Sequence, residues 1–68
     1  MTITVVVRKT EDDARLFEFF EDGRRKGAVV LDAGGPAVKL LADLARAAIK
    51  TYVVPGADVA DVVEVHPL

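Results

Sequence analysis

The chain contains no cysteine, serine, asparagine, glutamine or tryptophan. Without cysteine, neither a disulfide nor a thiolate metal site can supplement the core, which is the usual resort of small secreted scaffolds. An oxidising compartment is therefore not required. Without serine or cysteine, a nucleophile would have to be a threonine, a lysine or a carboxylate, and no base stands at a suggestive spacing from any of these. A strong charge of one sign is missing as well. Nine Lys and Arg against eleven Asp and Glu leave a formal net charge of −2, too weak a field to steer a polyanion. Long hydrophobic runs are also lacking. Unbroken apolar stretches last only a few residues, and the opening Met1-Thr2-Ile3-Thr4 has no basic segment before an apolar one. Neither a signal peptide nor a membrane span is expected, and the expected address is the cytoplasm.

What the chain does have in quantity is alanine and valine, which fill 22 of its 68 positions. Such an alphabet fits a GC-rich bacterial or phage gene, and it fits equally a computed sequence that avoids the missing residue types. A single small domain over residues 1–68 is expected, near the lower limit of independent folding, because short chains bury a smaller share of their unfolded surface. The hydrophobic fraction of 51% implies either efficient burial or an apolar surface reserved for a partner.

Periodicity separates the chain into elements. Residues 2 to 9 are rich in β-branched side chains, with Ile3, Val5 and Val7 on one parity and Thr4, Val6 and Arg8 on the other, the pattern of a strand. Thr10-Glu11-Asp12-Asp13 is a polar break, after which residues 15 to 21 alternate Phe17 and Phe19 against Leu16, Glu18 and Phe20. Asp22-Gly23 signals a tight hairpin, since a primed turn needs positive φ. A third strand follows from about residue 26 to 31. With an even second loop, Phe17 and Phe19 share a face with Ala28 and Val30, while Leu16 and Phe20 share the other with Val29 and Leu31. A five-residue first loop, 10 to 14, adds Ile3, Val5 and Val7 to the Phe17 face. A four-residue loop would reverse that strand.

Residues 32 to 36 read Asp-Ala-Gly-Gly-Pro, with Pro36 suited to a first helical turn, where its missing N–H costs nothing. A helix is expected from there to about Lys50. Its charged residues Lys39, Asp43, Arg46 and Lys50 fall on one narrow stripe. Val38, Leu41, Ala45, Ala48 and Ile49 form the centre of the buried side, flanked by Leu40 and Leu44. Short strands are expected at 51 to 54 and 62 to 66, separated by the Pro55-Gly56 turn. The fold class is therefore α+β. A three- to four-stranded, mainly antiparallel sheet carries one amphipathic helix on one face, in β-β-β-α-β order with a short C-terminal strand.

Motifs that could carry chemistry are weak. Gly34-Gly35-Pro36 opens a helix after a strand, but Ala37-Val38 stand where a phosphate cradle has Lys and Ser or Thr, so a plain connector is the better reading. Arg24-Arg25-Lys26, with Arg8 and Lys9 at the end of the first strand, could form a basic patch. Glu21, Asp22 and the acidic loop 11 to 13 oppose it, and no stacking aromatics interleave with the cations. A solvated hairpin tip that discourages edge aggregation fits better, and nucleic acid is not an expected partner. Asp58, Asp61 and Glu64 lack the glycine and spacing of a calcium loop, and His66 has no partner at fixed spacing. No catalytic, cofactor or metal site is expected, and the chain is not read as an enzyme.

The remaining candidate is the second face of the sheet. One helix covers one face, and the other would still show Val6, Leu16, Phe20, Arg25, Val29 and Leu31 beside Arg8 and Glu18. Residues 57 to 68 folding back, a homodimer or a protein partner are the three candidates to cover it.

Over residues 1 to 54, the strand–strand–strand–helix order with its Asp22-Gly23 hairpin and Gly34-Gly35-Pro36 helix start is similar to that of some small phage-encoded anti-CRISPR proteins. It also resembles the short antitoxins built on a truncated ribonuclease-H-like fold, although their Pro-rich turn between strand and helix is not present at 32 to 36. The first resemblance implies inhibition by surface occlusion, with no active site. The expected function is a small non-enzymatic protein-binding module, in its specific form a phage or mobile-element inhibitor of a bacterial complex. Two alternatives remain open: a designed or orphan structural domain with no ligand, and an antitoxin-like or nucleic-acid-contacting regulator.

Overall fold

The computed structural model describes residues 2–32, 34–48, 50–57, 59 and 63. Among the described residues five elements follow one another: β1 (Ile3–Lys9), β2 (Ala14–Glu21), β3 (Arg24–Asp32), α1 (Pro36–Arg46) and β4 (Lys50–Val53). They build the expected α+β arrangement around a four-stranded sheet of order β3-β2-β1-β4. The first three strands are antiparallel neighbours, and β4 runs parallel to β1 at the far edge. The sheet is mixed because a helical crossover returns the chain in the direction of the strand it left.

Turn chemistry sets the first register. Lys9 pairs with Arg15, which leaves the five residues 10–14 as the link. Within it the Asp13 N–H donates to the Thr10 carbonyl at 3.2 Å and the Thr10 N–H to the Ala14 carbonyl at 3.0 Å. Asp13 sits at φ 61°, the left-handed position that ends a three-residue hairpin loop and that Asp tolerates better than most residues. The odd span places Ile3, Val5 and Val7 on the face of Phe17 and Phe19, as expected.

The second hairpin has the even, two-residue turn, with Asp22 at φ 51° and Gly23 at φ 83°. The facing expected of β3 is nevertheless reversed over most of its length. Glu21 pairs with Arg24 and Phe20 with Arg25, but Phe19 then pairs with Gly27, so that Lys26 is skipped in a bulge. One extra residue flips every side chain beyond it to the other face. Val29 therefore stands opposite Phe17 and Leu31 opposite Arg15 on the helix side, while Ala28 and Val30 join Glu18 and Leu16 on the opposite face.

The core lies between the sheet and α1. Val5, Val7 and Phe17 from the sheet meet Val38, Ala42 and Ala45 of the helix, together with Val53, Ala57, Val59 and Val63. Phe19, Leu31, Leu41 and Ala48 pack against this cluster while partly buried. Small alanines on the helix face permit close approach to the strands. Leu40 and Leu44 are instead 63% and 56% exposed.

The helix is shorter than its periodicity indicates, ending at Arg46, with Lys50 opening β4. The Ala47 and Ala48 N–H groups turn back to the Leu44 and Ala45 carbonyls at 3.1 and 3.0 Å. The buried Thr51 hydroxyl donates to the same Ala45 carbonyl. These bonds satisfy two of the orphan carbonyls of the last turn, those of Leu44 and Ala45, and tie β4 to it. Ile49 lies outside the described residues. So does the strand expected at 62–66 apart from Val63, which is not in a strand and whose N–H donates to the Val59 carbonyl at 3.2 Å.

Candidate interaction face

Strand register divides the side chains between two faces. The face away from α1 carries Lys50 and Tyr52 from β4, Thr4, Val6 and Arg8 from β1, Leu16, Glu18 and Phe20 from β2, and Arg25, Ala28 and Val30 from β3. Val6, Leu16, Phe20 and Arg25 are thus brought together as expected. Val29 and Leu31 are not, because the Lys26 bulge carries them to the core side. The described tail residues Ala57, Val59 and Val63 also join the core on the helix side.

One carboxylate organises the open face. Arg8 lies opposite Leu16 and Arg25 is paired with Phe20, so each reaches diagonally to Glu18, two residues away along β2. The Arg8 Nε donates to Glu18 Oε1 at 2.9 Å, and the Arg25 Nε donates to Glu18 Oε2 at 3.2 Å. The Glu18 side chain is only 16% exposed, against 50% and 56% for the two arginines. A single anion thus gathers two cations across three strands, leaving a net positive charge at the centre of the face. Val6, flanked in the ladder by Glu18 and Tyr52, is 8% exposed although the one described helix lies on the other face. Leu16, Phe20 and Tyr52 are half-buried, and Val30 is 59% exposed.

The continuous basic patch envisaged from sequence does not form. Arg8 and Arg25 meet at Glu18, whereas Lys9 belongs to the other face and pairs with Asp13 at 3.2 Å. Arg15, buried at that end of the sheet, donates to the Asp13 and Ala14 carbonyls at 3.1 and 3.2 Å. The hydrogen bond from the Lys9 ammonium, reinforced by Arg15, holds the Asp13 carboxyl below its ordinary value. This cluster is an ion-paired loop base. Among the described residues, no three acidic, histidine or cysteine side chains gather closely enough to hold a metal. Asp58, Asp61, Glu64 and His66 lie outside the described residues. No described helix is long and apolar enough to cross a membrane.

Comparison of the chain with protein-family models, curated proteins and solved structures returns no match. Four residues of the face, Ala28, Val30, Lys50 and Tyr52, escaped sequence reasoning. Gly27 was the available signal for Val30, since a glycine inside a strand pattern marks a bulge. For Tyr52 the signal was the alternation of Lys50 and Tyr52 against the buried Thr51 and Val53, legible only once β4 is known to begin at Lys50.

Proposed function

We propose that the chain is a small non-enzymatic protein-binding module that occludes part of a larger protein with the open face of its sheet. The observation that carries this reading is the composition of that face. Half-buried Phe20, Leu16 and Tyr52 surround two arginines pinned by one carboxylate, and none of the described residues covers them. Aromatic residues and arginine are enriched at protein interfaces, and cations held by a neighbouring carboxylate lose less freedom on docking. The net positive centre favours an acidic patch on the partner. In its specific form the module is a phage or mobile-element inhibitor of a bacterial complex, a reading supported by the resemblance over residues 1 to 54.

Phe20→Glu tests it. A glutamate there places a charge that an interface cannot readily desolvate, whereas a solvent-facing site accepts it. Pull-down from a bacterial lysate should lose a partner captured by the parent while the circular dichroism spectrum is kept. Identical capture by parent and variant, with the fold intact, would overturn the proposal.

A further inference from the structure

The outer side of β3 is a sheet edge, and its two halves differ. The first half, Arg24 to Lys26, carries three cations and ends in the bulge, devices that keep an edge from pairing. The second half, Gly27 to Leu31, has no charge and no bulge. Ala28 there is exposed, and Val29 and Val30 are 38% and 59% exposed. No described strand lies beyond it.

Hydrogen-bond alternation shows which backbone groups this half turns outward. The Asp22 N–H donates to the Thr2 carbonyl, so every second pair along β1 and β2, down to Arg8 with Leu16, exchanges backbone bonds. Arg15 and Phe17 are left to bond β3, through Leu31 and Val29. Ala28 and Val30 therefore point their N–H and C=O groups away from the sheet.

We propose that this edge pairs with the same edge of a second copy of the chain, antiparallel about Val29. Ala28 of each copy then exchanges both backbone bonds with Val30 of the other, and the two Val29 residues meet on the twofold axis. Charge selects this alignment. It sets Lys26 of each copy beside Asp32 of the other, whereas a parallel alignment stacks Arg24, Arg25 and Lys26 on their own kind. Among the described residues, no ion pair occupies Lys26 or Asp32. The Asp32 carbonyl already accepts the Gly35 N–H at 3.4 Å, which disfavours sliding the ladder one step towards Asp32. Growth stops at two copies because the opposite edge, β4, is only four residues long and opens with Lys50. The product is a closed dimer with one eight-stranded sheet, and both open faces lie on the same side of it.

Sedimentation velocity over a wide concentration range tests the pairing, with the parent expected to pass from monomer to dimer. Val30→Pro removes an outward N–H that the monomer's own ladder does not use, so it should leave the circular dichroism spectrum unchanged and abolish the dimer. Asp32→Lys should weaken the dimer about tenfold, and Lys26→Asp combined with Asp32→Lys should restore it. A parent that stays monomeric up to millimolar concentration overturns the proposal. So does a dimer that survives Val30→Pro, or one lost in Phe20→Glu but kept in Val30→Pro, which would place association on the open face. Should Val30→Pro fail to fold, hydrogen exchange of the parent decides. Protection of the Ala28 and Val30 amides that rises with concentration supports edge pairing, and exchange independent of concentration refutes it.

Discussion

Phe17 and Val7 face each other across β1 and β2, and neither retains any exposed surface. Their contact joins the central pair of strands to the helix, since both belong to the cluster that includes Val38, Ala42 and Ala45. Most of what α1 contributes to that cluster is valine and alanine. The bulk of the core therefore comes from the sheet, and Phe17 is its largest fully buried side chain.

Phe17→Ala is expected to cost about 3–5 kcal/mol, the lost transfer energy plus the cavity left behind. A domain of this length holds a stability in the lower part of the usual range of about 5–15 kcal/mol. The variant should therefore be largely unfolded by far-ultraviolet circular dichroism. Phe19→Ala, at a partly buried position nearer the hairpin, should cost less. A melting temperature for Phe17→Ala within a few degrees of the parent would contradict the packing described.

Gly27 is the partner of Phe19 where β3 resumes its ladder after the bulge. A Cβ built on it meets nothing within 4 Å, and its φ lies outside the left-handed range. Its flexibility serves the unfolded chain more than the folded one. Gly27→Ala should therefore stabilise the protein by about 0.4–1 kcal/mol, chiefly by removing conformations from the unfolded ensemble. Thermal denaturation should show a rise of about 2–8 °C for a domain of this size. A fall instead would mean that the bulge depends on conformations closed to alanine.

The elements were legible because each has its own local cause. β-branched alternation marks β1, Asp22-Gly23 fixes a turn with two positive φ angles, and Pro36 opens a helix at the position where it is expected. Facing was legible only as far as residue counting between partners could carry it. The five residues 10–14 kept β1 in register with Phe17, whereas a single skipped residue, Lys26, inverted β3 from Gly27 onwards. A bulge costs no side-chain periodicity within its own strand, so Ala28-Val29-Val30-Leu31 reads the same in either register. The run is apolar on both parities, and the pattern cannot choose. The open face was accordingly recovered on β1 and β2, where Val6, Leu16, Glu18 and Phe20 lie before any irregularity, and misassigned at Val29 and Leu31 beyond it. The helix end escaped for a different reason. The bond from the Thr51 hydroxyl to the Ala45 carbonyl is a tertiary contact, and the helical periodicity of 47 to 50 does not register it.

Acid should weaken the loop base between β1 and β2. The Asp13 carboxylate lies 3.2 Å from the Lys9 ammonium and 3.5 Å from the Arg15 guanidinium. The Lys9 hydrogen bond is the leading cause that its pKa is lowered from the ordinary 3.8. A carboxyl whose folded pKa is depressed binds a proton less readily folded than unfolded. Its contribution is fully present above the unfolded value and disappears as pH falls through the lower, folded one. Asp13→Asn is the suitable variant, because asparagine accepts the left-handed φ of 61° found here and only the charge is removed. Parent and variant should differ in melting temperature at pH 6, with the parent more stable, and the difference should shrink below pH 4 as the carboxyl is protonated. The side chain is 68% exposed, so added salt should reduce the difference at pH 6 as well. Parent and variant curves that stay parallel from pH 6 to pH 2 would show that the Lys9–Asp13–Arg15 contacts do not stabilise the folded chain.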